Sequence, residues 1–215
     1  WVKSNTGSNA AATTIVSQWG VGNDVFSIEW DSAENIDFSV RDSVNVGHGA
    51  SYIDGIINTA WHHIVGVKDG STVKVYVDTV VGGTSAAMTD VTDDSTNSFN
   101  IGAESSTVQL FNGVIDEVRI YNRALTEQEI KRLYDIGLGT VANRSPSNSL
   151  ANGLVGCWTF DGSYTKAPDC SGNNNKGTLT GGPVKTTGKI GQGLSFDGVN
   201  DVTAMGDINK LESIA

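Results

Sequence analysis

The sequence predicts an all-β protein, a β-sandwich with one short helix, and three observations support this fold class. Segments that alternate apolar with polar residues recur along the chain, which is the pattern of strands with one buried face. The 26 glycines and the abundant Ser, Thr, Asn and Asp fit many turns between short strands. A helical period occurs in a single segment. A chain of 215 residues suits one large sandwich or two small domains.

The strand pattern is clearest in the first half of the chain. A hairpin is predicted at residues 61–78, where Asp69-Gly70 supplies the turn between two alternating segments. Other strands are predicted at residues 14–17, 25–30, 35–40, 98–102 and 113–121.

The period changes after residue 125. Thr126 and Glu129 form a capping-box pattern, and a short helix is predicted from there to about Gly137. Residues 138–152 lack periodicity and are predicted to be a linker. The strand pattern then returns at residues 154–160 and 193–198, with a loop-like stretch at 169–182 between them.

Charge and composition exclude some classes of partner. The net charge is −10 and the pI is near 4.6, which argues against nucleic acid, since phosphate binding requires a basic patch. No apolar run approaches the roughly 18 residues of a membrane span. The chain starts at Trp1 without Met or a signal-peptide pattern, so we interpret it as a mature or excised piece of a longer protein.

The chain has two cysteines, Cys157 and Cys170. In an oxidising compartment they can close a short loop as a disulfide. The alternative is a buried Cys157 on a strand and a free Cys170 in a loop, and the sequence leaves both open.

Several motifs resemble those of bacterial laminin-G-like jelly-roll domains, which belong to the concanavalin A-like lectins and glucanases. Residues 111–130 (FNGVIDEVRIYNRALTEQEI) resemble the closing strand and helix of that family, and the hairpin at 61–78 resembles its central hairpin. The segments that resemble its opening are 153–161 (GLVGCWTFD), 169–173 (DCSGN) and 188–198 (GKIGQGLSFDG). The resemblance implies a concanavalin A-like jelly roll and covers nearly the whole chain.

The motif order is circularly permuted relative to the family. Residues 153–215 resemble the N-terminal part of such a sandwich, and residues 1–137 resemble its larger C-terminal part, with 138–152 as the linker. The simplest origin is a tandem array of domains, cut within each domain. Either the second part completes the first part of its own chain, or it completes a neighbouring copy head-to-tail, which can build a fibre.

The resemblance implies a non-catalytic, extracellular or cell-surface module that acts in adhesion through a glycan or protein ligand. A structural subunit of a fibre, with neighbouring copies as partners, is the alternative. A glycoside hydrolase is the second alternative and is disfavoured; the nearest candidate for its pair of carboxyl groups is Asp116 and Glu117 on the closing strand. Asp116 and Glu117 are adjacent on a strand, so their side chains are expected on opposite faces.

A structural calcium ion is also expected from the resemblance. Ca²⁺ takes six to eight oxygens from carboxylates, Asn side chains and backbone carbonyls, and loops rich in Gly and Asn present such carbonyls. The family's strand order would bring the opening strand beside the closing strand. The expected ligands are Asp161, Asp116, Asn173, Asn175 and the Gly177 carbonyl.

Carbohydrate binding would use exposed aromatic rings, because sugars stack their apolar faces on them. The candidates are Trp19, Trp30 and Tyr52, with core or rim packing as the alternative for the two tryptophans. The remaining tryptophans, Trp1, Trp61 and Trp158, lie in family-like strand patterns and are predicted to fill the core.

Overall fold

The structure is a computed structural model, and its strands follow one another along almost the whole chain. It describes residues 1–6, 11–18, 25–42, 46–53, 58–85, 97–105, 107–139, 149–162, 165–206 and 208. Helix α1 spans Glu127–Gly137, and a 3-10 helix spans Ser149–Ala151. In chain order the strands are β1 (Val2–Ser4), β2 (Thr13–Gln18), β3 (Phe26–Trp30), β4 (Ile36–Arg41), β5 (Gly47–Tyr52), β6 (Ile64–Asp69), β7 (Thr72–Val77), β8 (Val80–Ser85), β9 (Phe99–Ile101), β10 (Asn112–Ile115), β11 (Val118–Tyr121), β12 (Leu154–Trp158), β13 (Lys166–Ala167), β14 (Gly177–Thr180), β15 (Val184–Thr187), β16 (Gln192–Asp197) and β17 (Val202–Ala204).

The strands form a two-layered sandwich, and every strand pair is antiparallel. One layer is an eight-stranded sheet in the order β13-β14-β17-β9-β2-β3-β4-β5. The second layer consists of the sheet β1-β10-β16-β15, the sheet β6-β7-β8 and the pair β11-β12. Apolar side chains of both layers share one core cluster. The predicted all-β sandwich with one short helix is therefore what the chain forms.

Strands from the two predicted parts of the chain are hydrogen-bonded to each other. β10 pairs with β16, β11 pairs with β12, and β9 pairs with β17. Strands of residues 1–137 and 153–206 therefore share sheets in this structure, and completion by a neighbouring copy stays an open alternative. Within the predicted linker, residues 140–148 lie outside the described part of the chain.

Buried rings connect the two layers at the centre of the core. Trp158 on β12 is fully buried, and its ring centroid lies 5.3 Å from that of Phe99 on β9. Trp1 is also buried, whereas Trp61 is only half-buried at the margin. The predicted core role thus agrees with the positions of Trp1 and Trp158 and not fully with that of Trp61.

The predicted hairpin is formed by β6 and β7, with Asp69 opposite Thr72 as the last pair. The turn therefore consists of Gly70 and Ser71, and Asp69 ends the strand. Gly70 has φ +55°, a left-handed conformation that glycine adopts without strain. The next turn, at Asp78 and Thr79, leads into β8, a strand that the sequence pattern did not predict.

Strand β8 packs closely against β5, the last strand of the eight-stranded sheet. A Cβ atom on Gly82 would lie 2.9 Å from the Cα of Tyr52, and one on Gly83 would lie 2.9 Å from the carbonyl oxygen of Ser51. Only glycine allows the two backbones to approach this closely.

Helix α1 begins with the predicted capping box. The Thr126 hydroxyl accepts a hydrogen bond from the Glu129 N–H, and the Thr126 N–H donates to the Glu129 carboxylate. The helix packs on Trp1, whose ring stacks on Tyr134 at 5.4 Å between centroids. No helix in the described ranges is long and apolar enough to cross a membrane.

The close contact between α1 and Trp1 makes Gly137 a sensitive position. A Cβ atom on Gly137 would overlap the Trp1 ring. We expect Gly137→Ala to lower the free energy of unfolding by about 1–3 kcal/mol, as overpacking does, although alanine favours helix. Gly47→Ala is the matched control, because no atom lies within 4 Å of its added Cβ. If urea denaturation gives the two variants the same free energy of unfolding, the close contact between Gly137 and the Trp1 ring is contradicted.

Candidate functional site

The outward side of the eight-stranded sheet carries two rows of polar side chains. Alternation along each strand points their neighbours, such as Ile28 and Phe38, toward the core. One row crosses β5, β4, β3 and β2 and consists of Ser51, Asp37, Glu29 and Thr14. The other crosses β4, β3, β2 and β9 and consists of Ser39, Ser27, Ser17 and Asn100. We call these eight residues the polar face.

Two carboxyl groups lie side by side at the centre of this face. Glu29 on β3 is directly opposite Asp37 on β4, a cross-strand position in which side chains contact each other. Burial raises the pKa of Glu29, the nearby Ser27 hydroxyl opposes the rise, and the negative charge of Asp37 adds to it. The pair can therefore hold a proton more readily than two separate carboxylates, and it offers four oxygens to hydrogen-bond donors.

The turn between β3 and β4 sets the register of this pair. Asp31 Oδ1 accepts hydrogen bonds from the N–H groups of Ala33 and Asn35 at 2.7 and 2.8 Å. Burial raises the pKa of Asp31, but the hydrogen bonds from Asn35 and Ala33 outweigh it and leave the pKa below its ordinary value. Glu29 and Asp37 are equally distant from Ala33 in the sequence. A hairpin centred on Ala33 was the available signal for the pair, and sequence reasoning missed it.

The loop before β10 covers one end of the polar face. Thr14 donates to Gln109 Oε1 at 2.7 Å, and Ser17 donates to the Ala103 carbonyl at 3.1 Å. Asn100 donates to the Glu104 carbonyl at 3.0 Å. These contacts bury Thr14 and Ser17 completely. The accessible end of the face is therefore on β3, β4 and β5, where Glu29, Asp37, Ser39 and Ser51 are half-buried.

The aromatic candidates do not lie on the polar face. Trp30 is fully buried and packs in the core, which was the alternative interpretation, so it presents no ring to a sugar. Tyr52 is half-buried on the core side of β5. Trp19 lies outside the described residues.

The expected calcium ligands divide into separate hydrogen-bonded groups. Asp116 accepts from the Ile190 N–H at 2.9 Å, and Asp161 accepts from the Gln192 N–H at 2.9 Å. These two aspartates therefore hold the same turn, at residues 188–192. Burial raises the pKa of Asp116 to about 6, although the Ile190 N–H opposes the rise.

The other three expected ligands have different partners. Asn173 and Asn175 donate their side-chain N–H groups to the Val155 carbonyl at 3.0 and 2.9 Å. Gly177 pairs with Ala167 at the start of β14. Among the described residues, no group of three or more His, Cys, Asp or Glu side chains is placed to hold a metal ion. The five residues thus have different hydrogen-bond partners in this structure, and calcium binding by them stays a prediction.

Cys157 and Cys170 form a disulfide, one of the two alternatives that the sequence allowed. Asp169, next to Cys170 in the sequence, stabilises the disulfide-bonded loop by accepting hydrogen bonds from backbone N–H groups. Its carboxylate accepts hydrogen bonds from the N–H groups of Cys157, Ser171 and Asn175 at 2.8–3.0 Å. Burial raises the pKa of Asp169, but these bonds and the Ser171 hydroxyl outweigh it, so the pKa lies below its ordinary value.

Asp116 and Glu117 do not form a catalytic pair. Asp116 bonds to the turn at residues 188–192, whereas Glu117 forms an ion pair with Arg119. Glu117 also has φ +55°, so the backbone departs from regular strand geometry between β10 and β11. Each carboxyl group thus has its own structural partner.

Comparisons with known proteins agree with this architecture. The family model of the concanavalin A-like lectin/glucanases superfamily matches residues 1–131. A crystal structure from Bacteroides ovatus ATCC 8483, of a protein provisionally assigned to carbohydrate binding, matches with a TM-score of 0.60 and 16% sequence identity. The match covers 94% of this chain and 52% of that protein, so the chain spans about half of its length. No protein of curated function matches the sequence.

Removing the charge of Asp169 tests its role in the disulfide loop. We expect Asp169→Asn to lower the free energy of unfolding at pH 7 by about 1–2 kcal/mol, because a charged acceptor of several hydrogen bonds is lost. The native pKa is depressed, so this stabilisation is present above the unfolded pKa and is lost as the pH falls through the folded pKa. Urea denaturation at pH 7 and pH 3 measures both effects, and Asp135→Asn on the exposed face of α1 is the control. If Asp169→Asn lowers the free energy of unfolding by the same amount at pH 3 as at pH 7, the stabilisation does not come from the charge of Asp169.

Chelation tests the calcium prediction. We expect EDTA to lower the melting temperature by several degrees and added Ca²⁺ to restore it, because an ion that binds only the folded chain stabilises it. A melting temperature that EDTA leaves unchanged would contradict the calcium prediction.

Proposed function

The chain belongs to the concanavalin A-like lectin/glucanases superfamily, and on this premise we propose that it is a non-catalytic carbohydrate-binding module. We further propose that it is a domain of a longer extracellular protein with tandem copies that acts in adhesion. The observation that carries the proposal is the polar face, where Glu29 and Asp37 lie next to each other.

The chemistry of the polar face suits a ligand rich in hydroxyl groups. Each sugar hydroxyl can donate to a carboxylate oxygen and accept from a serine hydroxyl. Ser39 and Ser51 flank the two carboxyl groups on β4 and β5, so both kinds of partner are available within one surface. A rigid sheet also holds these groups in place before the ligand arrives, which lowers the entropic cost of binding.

The same carboxyl pair makes hydrolysis the relevant competing function. Glycoside hydrolases use two carboxyl groups, one with a raised pKa as the acid. Glu29 has a raised pKa, and residues 29–34 (EWDSAE) have the Glu-x-Asp-x-x-Glu spacing of the family's hydrolases, which sequence reasoning missed. Strand β3 ends at Trp30, however, so Asp31 and Glu34 lie in the turn, where Asp31 accepts hydrogen bonds from backbone N–H groups, and not on the strand beside Glu29. We therefore assign the pair to binding, and the test below includes product release.

A glycan array with matched variants tests the proposal. We expect the chain to bind a subset of glycans, and Glu29→Gln with Asp37→Asn to weaken that binding by about 30-fold to 150-fold, since each change replaces a charged hydrogen bond of roughly 1.5–3 kcal/mol by a neutral one of roughly 0.5–1.5 kcal/mol. Asp135→Asn removes a carboxylate on helix α1 and should leave binding unchanged. Each bound glycan is also analysed for cleavage.

Three outcomes would overturn parts of the proposal. If the folded chain binds no glycan on the array, the proposal of carbohydrate binding is wrong. If the double variant binds as well as the unchanged chain, the polar face is not the binding site. Release of shorter oligosaccharides would replace the binding module by a hydrolase.

A further inference from the structure

A short hydrogen bond joins two distant parts of the chain at the end of the polar face. The hydroxyl of Thr14 on β2 donates to the side-chain carbonyl oxygen of Gln109 at 2.7 Å, although the two residues are 95 positions apart in the sequence. The backbone holds the same pair together, because the Thr14 N–H donates to the Gln109 main-chain carbonyl at 2.8 Å. A hydroxyl group, which can act as a nucleophile, is therefore held next to an amide carbonyl.

The atoms that would react are already close to each other. A C=O bond is about 1.2 Å long, so Gln109 Cδ is no more than about 3.9 Å from Thr14 Oγ1. Reacting atoms in a productive arrangement are roughly 3–3.5 Å apart. Rotation of the carboxamide about the Cγ–Cδ bond is the one movement needed to present the face of its carbonyl group to the hydroxyl.

The backbone of Gln109 has an unfavourable conformation. Its φ is +51°, in the left-handed region that residues other than glycine rarely adopt. Strain of this kind persists where the surrounding structure maintains it, and it is concentrated at functional sites. In this conformation both the side chain and the main-chain carbonyl of Gln109 contact Thr14.

A carboxyl group that can accept the hydroxyl proton lies on the neighbouring strand. Glu29 on β3 is the direct cross-strand partner of Thr14, so the two side chains share one face of the sheet and are within reach of each other. Burial raises the pKa of Glu29. A carboxyl group with a raised pKa can take up a proton in one step and return it in the next.

We propose that Thr14 and Gln109 form an ester cross-link within the chain. Thr14 Oγ1 attacks Gln109 Cδ, a C–O bond forms, and the C–N bond of the carboxamide breaks. The hydroxyl proton passes to Glu29 and from there to the departing nitrogen, which leaves as ammonia. Nothing is oxidised or reduced, and the two side chains are the only reactants.

The surroundings of the two residues favour the product. Thr14 is fully buried, which excludes the water that would hydrolyse the ester, whereas Gln109 is half-buried, so that ammonia can leave. The bond joins β2 of the eight-stranded sheet to the segment that leads into β10, a strand of the other layer. The cross-link therefore connects the two layers of the sandwich covalently.

Mass spectrometry of the purified, folded chain tests the proposal. We expect an intact mass about 17 Da below that of the disulfide-bonded chain, since one ammonia is lost. After reduction and trypsin digestion, peptides 4–41 and 75–119, which contain Thr14 and Gln109, should be recovered as one joined species. Separate peptides after prolonged incubation at pH 7 overturn the proposal. A loss of ammonia located at Asn112 or Asn152 also overturns it, because an asparagine before glycine forms a cyclic imide without Thr14.

Matched variants test the role of each residue. Thr14→Val removes the hydroxyl group and Gln109→Glu removes the leaving nitrogen, so we expect no joined peptides from either variant, whereas Thr14→Ser should form them. Glu29→Gln keeps both reacting groups and should slow the appearance of the joined species at least tenfold. Asp135→Asn on helix α1 is the control with an unchanged rate.

Cell-free synthesis provides chains of known age, in which the joined fraction is followed over time. If Thr14→Val fails to fold, Gln109→Glu at the half-buried position serves the same purpose. Joined peptides in either variant overturn the proposed bond. A rate that Glu29→Gln leaves unchanged overturns the role of Glu29 as the proton acceptor.

Discussion

The position of strand β10 is the constraint on which the sandwich depends. It lies between β1 and β16, so that its backbone hydrogen bonds join the beginning, the middle and the end of the chain in one sheet. Its continuation, β11, pairs with β12, and in the opposite layer β9 pairs with β17. Each part of the chain alone would therefore expose unpaired strands and half of the core, including the contact between Phe99 and Trp158.

Local signals in the sequence predicted the local structure well. The capping box at Thr126 and the hairpin around Gly70 depend on residues that are close in sequence, and both formed as expected, apart from the exact turn residues. The pairing of distant strands, such as β10 with β16, was not predicted from any local pattern, because such patterns do not encode which distant strands meet. The disulfide stayed open for the same reason, since it depends on how the Asp169 loop packs on β12.

Side-chain roles were harder to predict than strands. Glu29 and Asp37 are on neighbouring strands of one hairpin, and their contact depends on the exact register of that hairpin. Asp116 and Asp161 have the composition of cation ligands, but backbone N–H groups of a turn satisfy them. Trp30 has the composition of a sugar-stacking residue, but strand alternation directs it inward. In each case the residue type allowed several partners, and the tertiary structure selected one.

The glycine contacts between β8 and β5 restrict how molecules of this protein can join. An open edge strand is the usual place where β-proteins stack on one another, yet here the backbone of Gly82 and Gly83 lies directly on Ser51 and Tyr52. At the other end of the same sheet, β13 has only two residues. Among the described residues, the free backbone at the two ends of the large sheet is therefore limited to a two-residue strand and to the part of β5 before Ser51. Two molecules brought close together have little strand edge there at which to join into one continuous sheet.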